Sequence, residues 1–263
     1  MAAGSPPPRF SIVTATRNDL EGLLRTWRSL AAQTDDRFEW VVVDGASRDG
    51  SVEWLSSLTD KRVRWTSAAD SGIYDAMNAG MRRANGDLLM FLGAGDALAS
   101  SGVLGMVGAD QTLRRWRWGY GIVRVLDAKG ELTQVASFVP FRRRLLELGY
   151  HALCHQACFF TRDLVAQVGW YDPAFGLHAD QDFCIRAARL ADPGVIGEIV
   201  ADFEQVGASS TLPADSFVRA ARGMRRSARE PVGGNDVADA TVTAMLSAEL
   251  RARTLLGRWA RRR

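Results

Sequence analysis

Aspartates stand at several points where an apolar run gives way to turn residues. Asp44 ends Glu39-Trp40-Val41-Val42-Val43, Asp70 precedes Ser71-Gly72, and Asp96 closes Gly93-Ala94-Gly95. Further along come His155-Gln156 and His178-Ala179-Asp180-Gln181-Asp182. Carboxylates can take a proton from a hydroxyl, ligate a hard cation or accept hydrogen bonds from sugar hydroxyls. They do not suit a bare phosphate, so acids beside a phosphate imply a metal ion or a sugar. The three cysteines, Cys154, Cys158 and Cys184, match no zinc spacing, and their odd count fits a reducing compartment.

The elements that must position these residues alternate. Phe10–Thr16 is short, apolar and β-branched and reads as a buried strand. Asn18 or Asp19 caps a helix with Leu23, Leu24, Trp27, Leu30 and Ala31 at helical spacing. A second strand ends at Asp44, a short helix covers 52–58, a third strand covers 63–66, and a helix over 73–84 puts Ile73, Met77 and Met81 on one face. Leu88–Leu92 is a fourth strand. This rhythm predicts an α/β fold, a Rossmann-like mostly parallel sheet with helices on both faces, followed by C-terminal helices. Ligands in such sheets bind beyond the carboxyl ends of the strands, which here are Thr14–Arg17, Asp44–Asp49, Ala69–Gly72 and Gly93–Asp96. The second half predicts antiparallel strands over 116–126 and 131–141, a helix over 142–148, a strand over 156–160, a helix over 182–190 and an extended segment over 195–206. Trp116, Trp118 and Tyr120 alternate as one face of a strand packed on a core.

The basic residues are unevenly placed. The formal net charge is only +3, but Arg219, Arg222, Arg225, Arg226, Arg229, Arg251, Arg253, Arg258 and Arg261–Arg263 crowd the C-terminal region. That clustering suits an anionic surface. Val237, Ala240, Val242, Ala244, Met245, Ala248 and Leu250 recur at helical spacing, followed by Leu255-Leu256 and Trp259. One reading is an amphipathic helix on anionic lipid, where a lipid-linked acceptor would lie; the plainer reading is a packed helix with a solvated basic end. Pro6-Pro7-Pro8 stands where a signal peptide needs an apolar run, and no stretch reaches the roughly 18 apolar residues of a membrane span. The expectation is a cytoplasmic chain at the inner face of a membrane. Nucleic acid is not expected as a partner, because the arginines are terminal and not interleaved with aromatics across a sheet.

Five stretches, in this order, resemble the family 2 glycosyltransferases, which have the GT-A fold. They are Ser11–Asn18, Val41–Ser51, Asp70–Gly80, Asp87–Asp96 and His178–Phe183, and the resemblance spans residues 10–189. Ser71-Gly72-Ile73-Tyr74-Asp75-Ala76-Met77-Asn78 and Cys154-His155-Gln156-Ala157 are similar to a bacterial subgroup that makes cell-surface polysaccharides and glycolipids, some mycobacterial phenolic-glycolipid transferases among them. The domain division expected is a disordered N-terminus over 1–9, a GT-A glycosyltransferase domain over 10–212 and a basic helical extension over 213–263.

The resemblance implies an inverting transfer from a nucleoside-diphosphate sugar to an acceptor hydroxyl, and a role for each residue. Asp44 binds the nucleoside base or ribose, and Thr14, Ala15 and Arg17 border the same pocket, while Asp49 also suits a helix cap. Asp70 and Gly72 approach the nucleotide at a helix N-terminus, with a cap as the other reading of Asp70. Asp75 and Asn78 share a helix face on the donor side, Asp75 touching the sugar and Asn78 pinning the neighbouring loop. Asp96 ligates Mg²⁺ or Mn²⁺. Many family members read Asp-x-Asp-Asp where this chain has Gly93-Ala94-Gly95-Asp96, but one or two carboxylates with phosphates and water suffice for Mg²⁺. Asp180 is the general base, with Ala179 in place of the family's Glu, and Asp182 is a cap or ion-pair partner. His155 and Gln156 line the acceptor side. Two other classes remain open: a catalytically silent nucleotide-sugar-binding scaffold, and a nucleotidyltransferase, which the absence of a Gly-rich loop in Thr14–Asn18 disfavours.

Overall fold

The computed structural model describes residues 8–127, 129–204 and 212–260, with side chains up to residue 256. The elements run β1 (Phe10–Thr16), α1 (Leu20–Ala31), β2 (Phe38–Asp44), α2 (Ser51–Ser57), β3 (Val63–Ser67), α3 (Ile73–Arg83), β4 (Leu88–Phe91), β5 (Ala97–Leu98) and α4 (Val103–Arg114). The second half adds β6 (Trp118–Leu126), β7 (Leu132–Ala136), α5 (Arg143–Glu147), β8 (Cys158–Thr161), α6 (Arg162–Val168), α7 (Ala179–Leu190), β9 (Gly194–Glu204), α8 (Ser216–Ser227) and α9 (Asp236–Ala260). One sheet joins them in the order β3-β2-β1-β4-β8-β6-β9-β5, with β7 beside the outer half of β6.

The N-terminal half of the sheet is parallel, as the alternation predicts. Beyond β4 the pattern changes, because β8 runs antiparallel between β4 and β6. The core therefore lies on both sheet faces. Ile12, Trp40, Leu23 and Leu30 belong to one layer, and Val13, Phe91, Phe160 and Phe183 to the other. Trp118 and Tyr120 are buried in that second layer, as their alternation predicts, whereas Trp116 precedes β6 and is buried in the first layer. α1 is fixed over β2 by the Trp27–Trp40 stack, with centroids 5.3 Å apart at 13°. Below it Trp40 donates from Nε1 to Thr14 Oγ1, 2.9 Å away.

Three sequence expectations shift at their edges. The helix expected over 182–190 starts at Ala179, so Asp180 lies inside its first turn. Most of the disordered leader expected over 1–9 lies outside the described residues; of its last two residues, Arg9 is held by hydrogen bonds to Gly108 O and Thr112 Oγ1. The C-terminal arginines Arg261–Arg263 also lie outside the described residues.

The two last helices pack by charge. Phe217, Ala221 and Met224 of α8 join the core layer of α7. α9 faces α8 with Asp239, Thr243 and Ser247, all buried, while Val237, Met245, Leu255 and Leu256 are exposed. Asp239 is fully buried and pairs with Arg225 at 2.7 Å, and Arg225 also donates to Glu147 O and Thr243 Oγ1. Of the apolar stripe read from the sequence, Val237, Ala244, Met245 and Ala248 are exposed while Ala240, Val242 and Leu250 are half-buried, because the ion pairs dictate which face docks. Removing one partner of a buried ion pair leaves the other charge without compensation, so Asp239→Ala should lower the unfolding free energy by about 3–5 kcal/mol. Asp236→Ala, which breaks an exposed 3.6 Å pair with Arg226, should cost less than about 1 kcal/mol. Urea denaturation of the two variants checks the contrast; equal losses would contradict it.

Candidate active site

The carboxyl ends of β1 and β4, the start of α3 and the start of α7 surround a cleft of about 840 Å³. Asp96 and Asp180 both line it, with Ala15, Arg17, His155 and Gln156 of the expected set. Asp44, Asp70, Gly72, Asp75, Asn78 and Thr14 do not.

Asp96 closes a turn held from below by α1. Thr26 Oγ1 donates to Asp96 O at 2.8 Å and to Gly93 O at 3.2 Å. The short β5–β9 ladder sets Glu204 opposite, and its N–H donates to Asp96 Oδ1 at 3.2 Å. Gly95 has φ +91, and a Cβ there would stand 3.3 Å from Glu204 Oε2. Glu204 pairs with Arg25 of α1 at 3.0 Å. Asp96 is only 5 % exposed. Burial pushes its carboxyl up to about 7, against the Glu204 amide and the Gln156 carboxamide, which favour the charged form.

Asp180 comes from the first turn of α7 and is half-buried. Its oxygens accept from Gln181 N at 2.8 Å and from Gln181 Nε2 at 3.2 Å. Burial raises this carboxyl to about 6, and the Gln181 bonds and the Tyr74 hydroxyl pull it back toward ionisation. Tyr74 is pushed well above the usual phenol range by burial and by the charge of Asp180. Asp180 is thus ionised at neutral pH yet basic enough to accept a proton. Asp182 turns away and pairs with Arg186 at 2.8 Å, the ion-pair role read from the sequence.

His155 is buried, stacks on Phe91 at 5.0 Å and shares a 2.6 Å hydrogen bond between Nε2 and the Tyr171 hydroxyl. Burial lowers its pKa to about 3, so it stays neutral and shapes the cleft without carrying a proton. Gln156 lines the cleft with Asp96, and its carboxamide favours the charged form of that carboxyl.

The other expected donor residues form the surroundings of the cleft. Thr14 spends its hydroxyl inside the fold, donating to Leu92 O at 2.7 Å and accepting from Trp40. Thr16, which the sequence reading omitted, lines the cleft and has a buried hydroxyl without a partner among the described residues. Asp44 is fully buried, and its carboxylate accepts from Ser47 N at 3.0 Å, from the Ser47 hydroxyl and from Ser67 Oγ at 2.6 Å. Asp49 caps α1 and the turn before α2, accepting from Leu20 N and Ser51. Asp70 accepts from Gly72 N at 3.0 Å, and its Oδ2 stands 2.7 Å from where a Cβ on Gly45 would be, beside Arg17. Gly72 opens α3 at φ +132, a conformation that favours glycine. Asp75 is exposed and accepts from Ser71 N at 3.2 Å. Asn78 holds the Tyr171 backbone through both ends of its amide, at 3.0 and 2.9 Å. It therefore positions the 171 loop, the pinning role read from the sequence.

Arg25, Arg28 and Glu204 also escaped the sequence reading, although Glu21, Arg25 and Arg28 lie on one face of α1 and line the cleft together. Among the described residues no group of three His, Cys, Asp or Glu side chains is arranged to hold a metal ion. Asp96 with Glu204 beside it is a two-carboxylate set, which fits a hard cation that takes its other ligands from phosphates and water.

Comparison with known proteins decides the family. The model of glycosyl transferase family 2 matches residues 11–167. The chain belongs to this family. It is 37 % identical over 211 residues to an uncharacterized glycosyltransferase of Mycobacterium tuberculosis strain H37Rv, covering 77 % of this chain and 78 % of the relative. It is 30 % identical over 237 residues to a PGL/p-HBAD biosynthesis glycosyltransferase of Mycobacterium bovis strain BCG, covering 81 % and 83 % of the two chains. The fold matches Staphylococcus aureus TarS 1–349 in complex with UDP-GlcNAc, with a TM-score of 0.68 at 16 % identity over 92 % of this chain and 71 % of that one. It also matches a mannosyltransferase of Pyrobaculum calidifontis in complex with GDP-Man and Mn²⁺, with a TM-score of 0.57 at 17 % identity over 97 % and 80 %. The transferase thus has the GT-A-type fold that the resemblance implies.

The raised pKa of Asp96 carries a stability cost with a definite sign. The folded transferase holds a proton that the unfolded chain releases, between 3.8 and about 7. Stability therefore falls as pH rises through that window, and the cost is complete above it. At about 1.4 kcal/mol per pKa unit the cost is about 4 kcal/mol. Without added divalent ion, Asp96→Asn should raise the melting temperature clearly at about pH 8 and little at about pH 4. Thermal melts across this range test it; a gain that does not grow with pH would contradict the burial of this carboxylate.

Proposed function

We propose that the transferase moves a sugar from a nucleoside-diphosphate donor to an acceptor hydroxyl in a single displacement that inverts the anomeric centre. The observation that carries this reading is the meeting of Asp180 and Asp96 in one cleft, one carboxylate poised to take a proton and the other beside arginines and a second acid. Asp180 takes the acceptor proton as the hydroxyl oxygen attacks the anomeric carbon. The bond from that carbon to the diphosphate breaks, and its electron pair leaves with the diphosphate. Arg25 and Arg28 offer positive charge to the leaving group, and Thr16 has a free hydroxyl for it. Mg²⁺ or Mn²⁺, held by Asp96 with Glu204 beside it, supplies Lewis-acid charge to the diphosphate oxygens when bound. Arg17 connects this cleft to Gly45 and Asp70, which suits the nucleoside end of the donor.

Three known proteins support the chemistry without naming this chain's substrates: two structural neighbours were solved with UDP-GlcNAc and with GDP-Man and Mn²⁺, and a sequence relative bears a PGL/p-HBAD biosynthesis name. A lipid-linked acceptor at the cytoplasmic face of a membrane agrees with α9, whose outward Met245, Leu255 and Leu256 lie among arginines. Among the described residues no helix is long and apolar enough to cross a membrane.

Assay of UDP-, GDP- and dTDP-sugars for binding and hydrolysis, with and without Mg²⁺ or Mn²⁺, tests the reading. Saturable binding of one donor supports it; release of pyrophosphate from a nucleoside triphosphate and a sugar phosphate would replace it with nucleotidyl transfer. Asp180→Asn should bind donor with little change and lose about 10²–10⁴-fold in turnover. Because the base must be ionised, wild-type kcat/KM should rise with pH through about 6. A profile flat across pH 6, or near-normal turnover in the variant, would refute the assignment of the base.

A further inference from the structure

Next to the cleft lies a second hollow of about 300 Å³ between the end of β7 and residues 150–154. We propose that it is the acceptor subsite and that it takes a single sugar ring, so that the acceptor is itself a glycoside. This inference rests on the glycosyl-transfer reading above and adds the acceptor's chemical class.

The location comes first. Cys154 lines this hollow, and the two residues after it, His155 and Gln156, line the donor cleft. Leu153 is clamped by the Gln181 carboxamide, N–H to Oε1 at 3.0 Å and Nε2 to O at 2.9 Å. The same Nε2 donates to Asp180 Oδ2 at 3.2 Å, so the wall of the hollow is tied to the base by a single side chain.

The lining supplies the chemical class. His151 stacks on Tyr150 at 5.2 Å and meets Phe138 edge-on at 4.6 Å. Its Nδ1 is shielded from solvent and has no partner among the described residues, a buried polar atom that calls for one. Burial and nearby Arg253 keep the ring neutral, so it offers one donor and one acceptor. Gln134 and Ser137 add polar groups that can do both. None of the residues lining the hollow carries a charge. Aromatic surface with converging neutral hydrogen-bonding groups suits the C–H face and hydroxyls of a pyranose, and offers nothing to a phosphate or carboxylate. The volume lies at the small end of ligand sites, enough for one ring. The rim carries exposed Val135 and Val139, an apolar exit for whatever bears the sugar.

The walls are also preformed. Gly149 has φ +74, and a Cβ there would stand 2.6 Å from Phe217 O, so the segment lies directly on α8. Tyr150 donates from its hydroxyl to Glu249 of α9 at 2.9 Å. Binding need not order these groups, which lowers its entropic cost.

Methyl glycosides of glucose, galactose, mannose, N-acetylglucosamine and rhamnose serve as probes, in saturation-transfer NMR and calorimetry, with and without UDP. Phenol is the probe for an aryl acceptor. At least one glycoside should bind the wild-type chain. Ser137→Trp fills the hollow from an exposed position, and His151→Ala removes the ring and its unpaired nitrogen. Each should weaken that binding tenfold or more. UDP and GDP titrations run alongside report on the donor half. Failure of every glycoside to bind, binding that survives both substitutions, or phenol binding in place of any glycoside would overturn the proposal. Loss of all nucleotide binding in the wild-type chain would overturn the donor reading instead, and the glycoside result would still be readable.

Discussion

Keeping two carboxylates away from water is the constraint around which the cleft is organised. A carboxylate in a protein interior favours its neutral form, and only hydrogen bonds or opposite charge restore the ionised one. Asp96 and Asp180 meet that demand to different degrees. Asp180 accepts twice from Gln181, at 2.8 and 3.2 Å, with the Tyr74 hydroxyl also favouring its charged form, and ends nearer the ordinary range. Asp96 has an amide, a carboxamide and a more distant guanidinium, and remains close to half-protonated at neutral pH. The first arrangement suits a group that must pick up a proton and release it. The second suits a group that reaches full charge only when a cation joins it.

The region near Asp96 also explains how the chain departs from its family. Where many members carry further acids, this chain has Gly93 and Gly95, and the backbone there turns so tightly that a Cβ on Gly93 would stand 2.8 Å from Asp96 Oδ2. Glu204 arrives from β9 and lays its carboxylate over Gly95. The negative charge is redistributed onto a strand more than a hundred residues away in sequence. Arg25 offsets it from the opposite side, so the charge near the turn is balanced before any substrate enters.

Much of this was legible in the sequence, and the rest failed for identifiable reasons. The β1–β4 half was readable because parallel strands buried on both faces leave continuous apolar runs ending at turn residues. Asp96 and Asp180 were found because they stand at such ends or in a stretch like the family's. Thr14 and Asp44 stand at such strand ends too, and the rule says where a side chain is along a strand but not that its oxygens also bond within the fold, Thr14 to Leu92 and Trp40 and Asp44 to Ser47 and Ser67. Asn78 was read both ways, and only the coordinates show its amide taken up by Tyr171. Glu204 left no signal, since a single acid near the end of an extended segment is common and its contact with Asp96 depends on a two-residue ladder. α9 was found as a helix, but hydropathy spacing does not register the buried Asp239–Arg225 pair that docks one face of it on α8.

The stack of Trp27 on Trp40 has a consequence for observing the molecule. Two indoles nearly parallel at 5.3 Å couple their excited states, and one of them rides on the helix that carries Arg25 and Arg28. Any tilt of that helix changes the mutual angle of the rings before it changes backbone content. Near-ultraviolet dichroism and emission from this pair thus make the protein an optical gauge of its own cleft, needing no attached dye.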